Sequence, residues 1–110
     1  MKLPNAEKAV IELDKFTEYA LNPDHPSGRH KARVFVSALG LTIKDAVFLQ
    51  EQVRRIVLNQ EAEPEPPSQY GERYVIDFVL TTDTGTAIVR SSWIIRDGED
   101  FPRLTSCYVK

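Results

Sequence analysis

The sequence predicts an α+β fold in which helices pack on an antiparallel meander sheet of three or four strands, and three observations predict it. Apolar residues recur at helical spacing in the first half, at Ala32, Phe35, Val36 and Leu39 and again at Ala46, Leu49, Val53, Ile56 and Val57. From residue 73 the period changes to two, with Tyr74, Ile76, Phe78 and Leu80 alternating against Val75, Asp77 and Val79. Turn chemistry at Thr82-Asp83-Thr84-Gly85 and at Asp97-Gly98 then separates strand-length runs. A chain of 110 residues with 42% hydrophobic content can close one core unaided. It reads as a single domain over 1–110, with a mainly helical half at 1–59, a Pro/Glu-rich loop at 60–69 and a β-meander at 70–110.

Asp14 precedes Lys15 to Leu21, where Phe16, Ala20 and Leu21 share a face, so a short helix capped by Asp14 is expected. Upstream, Val10, Leu13 and Phe16 keep helical spacing, while Ala9-Val10-Ile11 also fits a short edge strand, the preferred of two open readings. Asn22 to Gly28 holds two prolines and a glycine and is read as a loop. The next helix runs from about Arg29 to Leu39 and stops at Gly40, a residue suited to the left-handed cap. Thr42 and Asp45 form a threonine-x-x-acid box ahead of a long helix ending near Asn59. Pro64, Pro66 and Pro67 with three glutamates make Gln60 to Gln69 an extended linker. Strands are expected at Arg73 to Thr81, Thr86 to Ile95 and Arg103 to Val109, with Arg103 and Thr105 on one face of the last and Leu104, Ser106 and Tyr108 on the other.

Composition narrows the chemistry. The single cysteine, Cys107, cannot close an internal disulfide, and with two histidines it cannot complete a zinc site without carboxylates, so neither metal nor cofactor is expected. Cys107 reads as a buried small hydrophobe. Apolar stretches such as Tyr74 to Leu80 are far shorter than a membrane helix, and the N-terminus lacks a signal-like block, so a cytoplasmic protein with no membrane partner is expected. Phosphate-loop, zinc-protease and nucleophile-elbow motifs are absent. Charge is uneven: Arg29, Lys31, Arg33, Lys44, Arg54 and Arg55 face only two acids over residues 28–60, within a net charge of -2. Such a patch suits RNA or an acidic partner protein.

The combination Lys2-Leu3-Pro4-Asn5-Ala6, His25-Pro26-x-Gly28-x-His30-Lys31-Ala32-Arg33-Val34-Phe35, Leu39-Gly40, Tyr70-Gly71-x-Arg73-Tyr74, Ser92-Trp93-Ile94 and Phe101 to Tyr108 is similar to a bacterial family of unknown function. The resemblance spans nearly the whole chain. It implies small stand-alone proteins and C-terminal modules of secreted polymorphic toxins, hence an interbacterial or toxin-antitoxin setting, but no activity. More loosely, helices followed by a meander resemble the barnase, EndoU, colicin and RelE-type ribonuclease fold.

Metal-independent RNA cleavage needs a base for the ribose 2′-hydroxyl, a proton donor for the leaving oxygen and donors around the phosphate. His30, Lys31 and Thr105 are the catalytic candidates, and Arg29, Arg33, Arg90, Arg103 and Tyr108 the substrate-binding ones. His30 lies at a helix N-terminus, where free amides and the helix dipole favour a neutral ring and a bound anion. Gly28 is expected to let a ligand approach the backbone there. His25, between Asp24 and Pro26, reads as a loop residue, Trp93 as core, and Arg90 as a partner for Asp77 on the neighbouring strand or for a phosphate. Two functions follow: a ribonuclease-like or toxin-derived enzyme, or a non-catalytic binding module of antitoxin or immunity type. Convergence of His30, Arg103 and Thr105 in one open cleft would favour the first; their dispersal or capture in internal salt bridges would favour the second.

Overall fold

The computed structural model describes residues 1–110. Two helices, α1 (Arg29–Leu39) and α2 (Ala46–Asn59), precede four strands, β1 (Glu63–Ser68), β2 (Gly71–Thr81), β3 (Thr86–Arg96) and β4 (Arg103–Val109). The strands form one sheet in the order β1-β2-β3-β4, every neighbouring pair antiparallel. Helices and sheet share a cluster of buried side chains in which Phe35, Leu39, Leu49, Val53 and Val57 meet Ile76, Phe78, Val89 and Trp93. That is the α+β architecture the two hydrophobic periods predict.

Both main helices are bounded as their sequences direct. At the end of α1, Gly40 takes φ 67 and its N–H reaches the carbonyl of Val36 at 2.9 Å. Thr42 donates its N–H to Asp45 Oδ2 at 2.9 Å and accepts from Lys44 N–H at 3.3 Å, an arrangement that caps a 3₁₀ turn, Ile43–Asp45, and leads into α2.

Three local expectations are corrected and one open reading is resolved. The Pro/Glu-rich stretch is not wholly linker, because Glu63 to Ser68 pairs with β2, Glu63 opposite Val75 and Glu65 opposite Arg73. The strand lies at the sheet edge, where proline's missing N–H breaks no ladder on the outer side. Asp14 does not cap a helix: Lys15 and Phe16 bond back to Glu12 and Leu13, and the turn continues as a π-helical segment, Phe16–Ala20, closed by the Leu21 N–H on the Phe16 carbonyl at 2.9 Å. Ala9 to Ile11 settles as a single parallel bridge, Val10 donating to Pro102 and accepting from Leu104, both at 2.9 Å. Finally, β4 does not alternate cleanly. Ser92 pairs with Ser106 but Trp93 pairs with Leu104, so Thr105 is the extra residue of a bulge. The bulge lets Leu104 and Cys107, three residues apart, both face the core.

The core holds one buried polar side chain, and it is satisfied. Ser91 donates its hydroxyl to the Ile76 carbonyl and accepts from Trp93 Nε1, each at 2.9 Å. Trp93 thus fills the centre of the sheet with no orphaned donor.

Candidate functional site

The loop between the π-helical segment and α1 is organised by a histidine ring. His25 Nδ1 accepts the N–H of Gly28 at 2.9 Å and of Ser27 at 3.1 Å, with the Ser27 hydroxyl at 3.3 Å. Two amides aimed at Nδ1 require a lone pair there, so the neutral ring carries its proton on Nε2. Tyr19 meets the imidazole edge to face, ring centroids 4.5 Å apart. The His25 carbonyl then accepts the Arg29 N–H at 3.0 Å and starts α1. Gly28 is buried beneath this arrangement: a Cβ there would stand 3.1 Å from the Tyr19 carbonyl and 3.4 Å from His25 Nδ1. Its lack of a side chain therefore admits Tyr19 and His25, not an approaching ligand, which corrects the reading of Gly28 as an open backbone position.

Beside this loop opens a cleft of ≈ 670 Å³ lined by Asp14, Lys15, Glu18, Tyr19, His25, Thr105 and Ser106. The helical turn supplies the charged groups, the loop supplies the imidazole, and the bulge in β4 presents adjacent hydroxyls. Of the residues singled out from sequence, Thr105 lies in this cleft. His30 is exposed on the first turn of α1 and does not line this cleft. His25, read as a loop residue, occupies the place expected of His30.

The remaining candidates divide into a linked group and a dispersed one. Lys31 Nζ stands 4.6 Å from the centre of the Tyr108 ring, a cation-π contact that ties α1 to β4. Arg90 grips Asp77 with two bonds, Nε to Oδ1 at 2.8 Å and Nη2 to Oδ2 at 3.0 Å, and Lys110 reaches the same carboxylate at 3.0 Å. The Arg90 hydrogen bond, more than Lys110, holds the Asp77 acid at about 2, against the opposing effect of partial burial. Asp77 in turn raises the Arg90 guanidinium, with Tyr108 adding to the effect. Arg103 is likewise taken, by Glu99 through two bonds at 2.9 Å, and its guanidinium lies 5.1 Å from the Phe101 ring. Glu99 raises Arg103, and Arg103 lowers Glu99. Arg29 and Arg33 are exposed and make no ion pair. His30, Arg103 and Thr105 therefore do not share one cleft. Cys107 is buried and its thiol is pushed up to about 12 by that burial, so it is no ready nucleophile.

The fold and this edge-of-sheet cleft define an α+β protein with helices on one face of a four-stranded antiparallel meander. The chain belongs to the family described as domain of unknown function DUF6883, which matches residues 2–110. No curated protein sequence matches it. Among solved structures it is similar to a chain of a contact-dependent growth inhibition toxin–immunity protein complex from Klebsiella pneumoniae 342, at a TM-score of 0.63 and 14% identity, covering 89% of this chain and 94% of that one. At that identity the likeness is one of fold. No helix is long and apolar enough to cross a membrane.

Proposed function

We propose that this protein is an RNA-cleaving module of toxin type that acts in the cytoplasm without a metal, through the cleft between the π-helical segment and β4. One observation carries the reading: two carboxylates, Asp14 and Glu18, an ammonium group, an imidazole and the hydroxyls of Thr105 and Ser106 line the same cleft. The similarity to a chain of a toxin–immunity complex supports a toxin or immunity setting for either reading.

The roles follow from protonation. With its Nδ1 lone pair occupied by two amides and Nε2 already carrying the proton, neutral His25 has no free lone pair to take a proton, so it acts through Nε2–H as a neutral donor to a phosphoryl oxygen. Glu18, next to the tyrosine that packs on His25, is the base for the 2′-hydroxyl. The 2′-oxygen forms a bond to phosphorus, the bond to the 5′-oxygen breaks, and the Lys15 ammonium gives its proton to that leaving oxygen. Thr105 and Ser106 donate hydroxyls to the remaining phosphoryl oxygen. The products are a 2′,3′-cyclic phosphate and a 5′-hydroxyl end. Arg29 and Lys31, following His25 closely in the chain, add positive charge for the RNA backbone.

The test uses an end-labelled oligoribonucleotide and its deoxy counterpart. Cleavage of the first alone, with a cyclic phosphate product, is expected; Thr105→Val should slow it about tenfold and His25→Ala about a hundredfold or more. Expression of His25→Ala beside His30→Ala, with an RNA-integrity readout, separates the two histidines. Cleavage of the deoxy strand, or activity undiminished in His25→Ala, overturns the assignment. A second reading, a non-catalytic partner-binding module of immunity type, is the one that the dispersal of His30, Arg103 and Thr105 favours, since His30 and Arg103 lie outside the cleft and Arg103 and Arg90 are held in internal pairs. The cleavage reading rests instead on the different set of groups around His25. Absence of RNA cleavage by the folded protein would favour it.

A further inference from the structure

Of the basic run at the start of α1, Arg33 is not used by the cleft. It borders a second depression of ≈ 480 Å³ between α1, the loop before it and the 3₁₀ turn Ile43–Asp45. Its walls are apolar, made by Leu21, Ala32, Val36 and Ile43, with Arg33 and Lys44 beside them. Val36 is 49% and Ile43 41% exposed, and Val47, in the first turn of α2, is 53% exposed. Val36 and Ile43, half-exposed at the groove, forgo hydrophobic stabilisation that a partner would restore.

The polar groups of this groove are occupied, with two exceptions. The Ser37 hydroxyl donates to the Val34 carbonyl, and Thr42 and Asp45 are bonded to each other in the cap. Arg33 and Lys44 have no carboxylate of this chain within ion-pair reach and no side-chain hydrogen bond. The groove thus offers an apolar floor and two unpaired cations. Its walls are helical turns whose backbone groups bond internally, so there is no free ladder for an added strand.

We propose that this groove is a docking site for an amphipathic helix of a partner protein, with Leu- or Ile-type anchors on one face flanked by Asp or Glu. A helix satisfies its own backbone, its apolar stripe fits the floor, and its flanking carboxylates meet Arg33 and Lys44. The groove is a separate surface from the RNA cleft, although both use the segment between Tyr19 and His25.

The test is selection from a phage library of helical peptides, with binding measured by calorimetry and mapped by amide chemical shifts. Enriched peptides are expected to carry apolar residues at i, i+3, i+4 and i+7 with neighbouring Asp or Glu, and to shift residues 32–37 and 42–47. Arg33→Glu with Lys44→Glu should weaken them about tenfold or more while leaving the unfolding temperature unchanged, since both side chains are exposed and unpaired. Three results overturn the proposal: no enrichment, enriched peptides without acidic bias, or shifts centred elsewhere. Occupation of the groove by small apolar compounds but by no peptide does so too. None of these measurements involves RNA, so failure here and failure of the cleavage reading are distinguishable.

Discussion

Replacing Asp77 by Asn removes the charge that Arg90 and Lys110 both hold, and its cost can be worked from the geometry. The folded acid titrates at about 2 against an ordinary value of 3.8. A gap approaching two pH units corresponds to about 2.4 kcal/mol as an upper bound. With the Asp77 side chain 30% exposed, solvent screening reduces this to about 1–2 kcal/mol. The folded value lies below the unfolded one, so the stabilisation is fully present above pH 3.8 and is lost as the pH falls through about 2. About half of it is gone at pH 3. Thermal unfolding followed by circular dichroism at pH 7, 5 and 3 should therefore show Asp77→Asn melting about 4–9 °C below wild type at neutral pH, with the gap narrowing at pH 3. Arg90→Met should also destabilise, and much less so in the Asp77→Asn background. Equal melting temperatures at pH 7, or a gap indifferent to pH, would refute the reasoning and free Arg90 for a role at a ligand.

Two further outcomes test the core. Ser91→Ala strands the Trp93 indole N–H in the interior and should cost about 1–3 kcal/mol, part of which Trp93→Phe in the same chain should restore; denaturant titration of the single and double variants measures this. Native Cys107 should resist alkylation at pH 8, because burial keeps it a thiol, and should react at once in denaturant; fast labelling of the folded protein, read by mass spectrometry, would contradict its burial.

The elements with long regular patterns were legible from the chain. The stripe from Ala46 to Val57 and the alternation from Tyr74 to Leu80 each place many apolar residues on one face, and burial enforces that placement. Gly40 and the Thr42 box mark boundaries through backbone chemistry that acts within four residues. What escaped depends on partners far away in sequence. β1 exists because β2 offers a ladder to a segment whose prolines exclude it from a central strand but not from an edge. The Thr105 bulge is fixed by pairing with β3, and no turn residue announces it. The Arg90–Asp77 pair was readable because the hairpin turn sets the register. For the candidate site, Thr105 was marked as a hydroxyl donor sharing a strand face with Arg103, whereas His25 carried only a local signal, a histidine three residues ahead of a glycine. Its ring accepts the amides of its own loop, and its place beside Thr105 joins residues eighty positions apart.

The prolines of β1 give the sheet a polarity of growth. Three of the six residues in that strand have no N–H to offer, so another chain arriving at that margin finds an incomplete ladder. The opposite margin, β4, contains no proline but is flanked by the bridge at Val10, by the π-helical segment and by α1, whose Lys31 stands over the Tyr108 ring. Open-ended stacking into a fibre needs two receptive margins on every copy. The charged and proline-rich stretch thus works as a terminator on its own side of the sheet, so no copy presents two receptive margins.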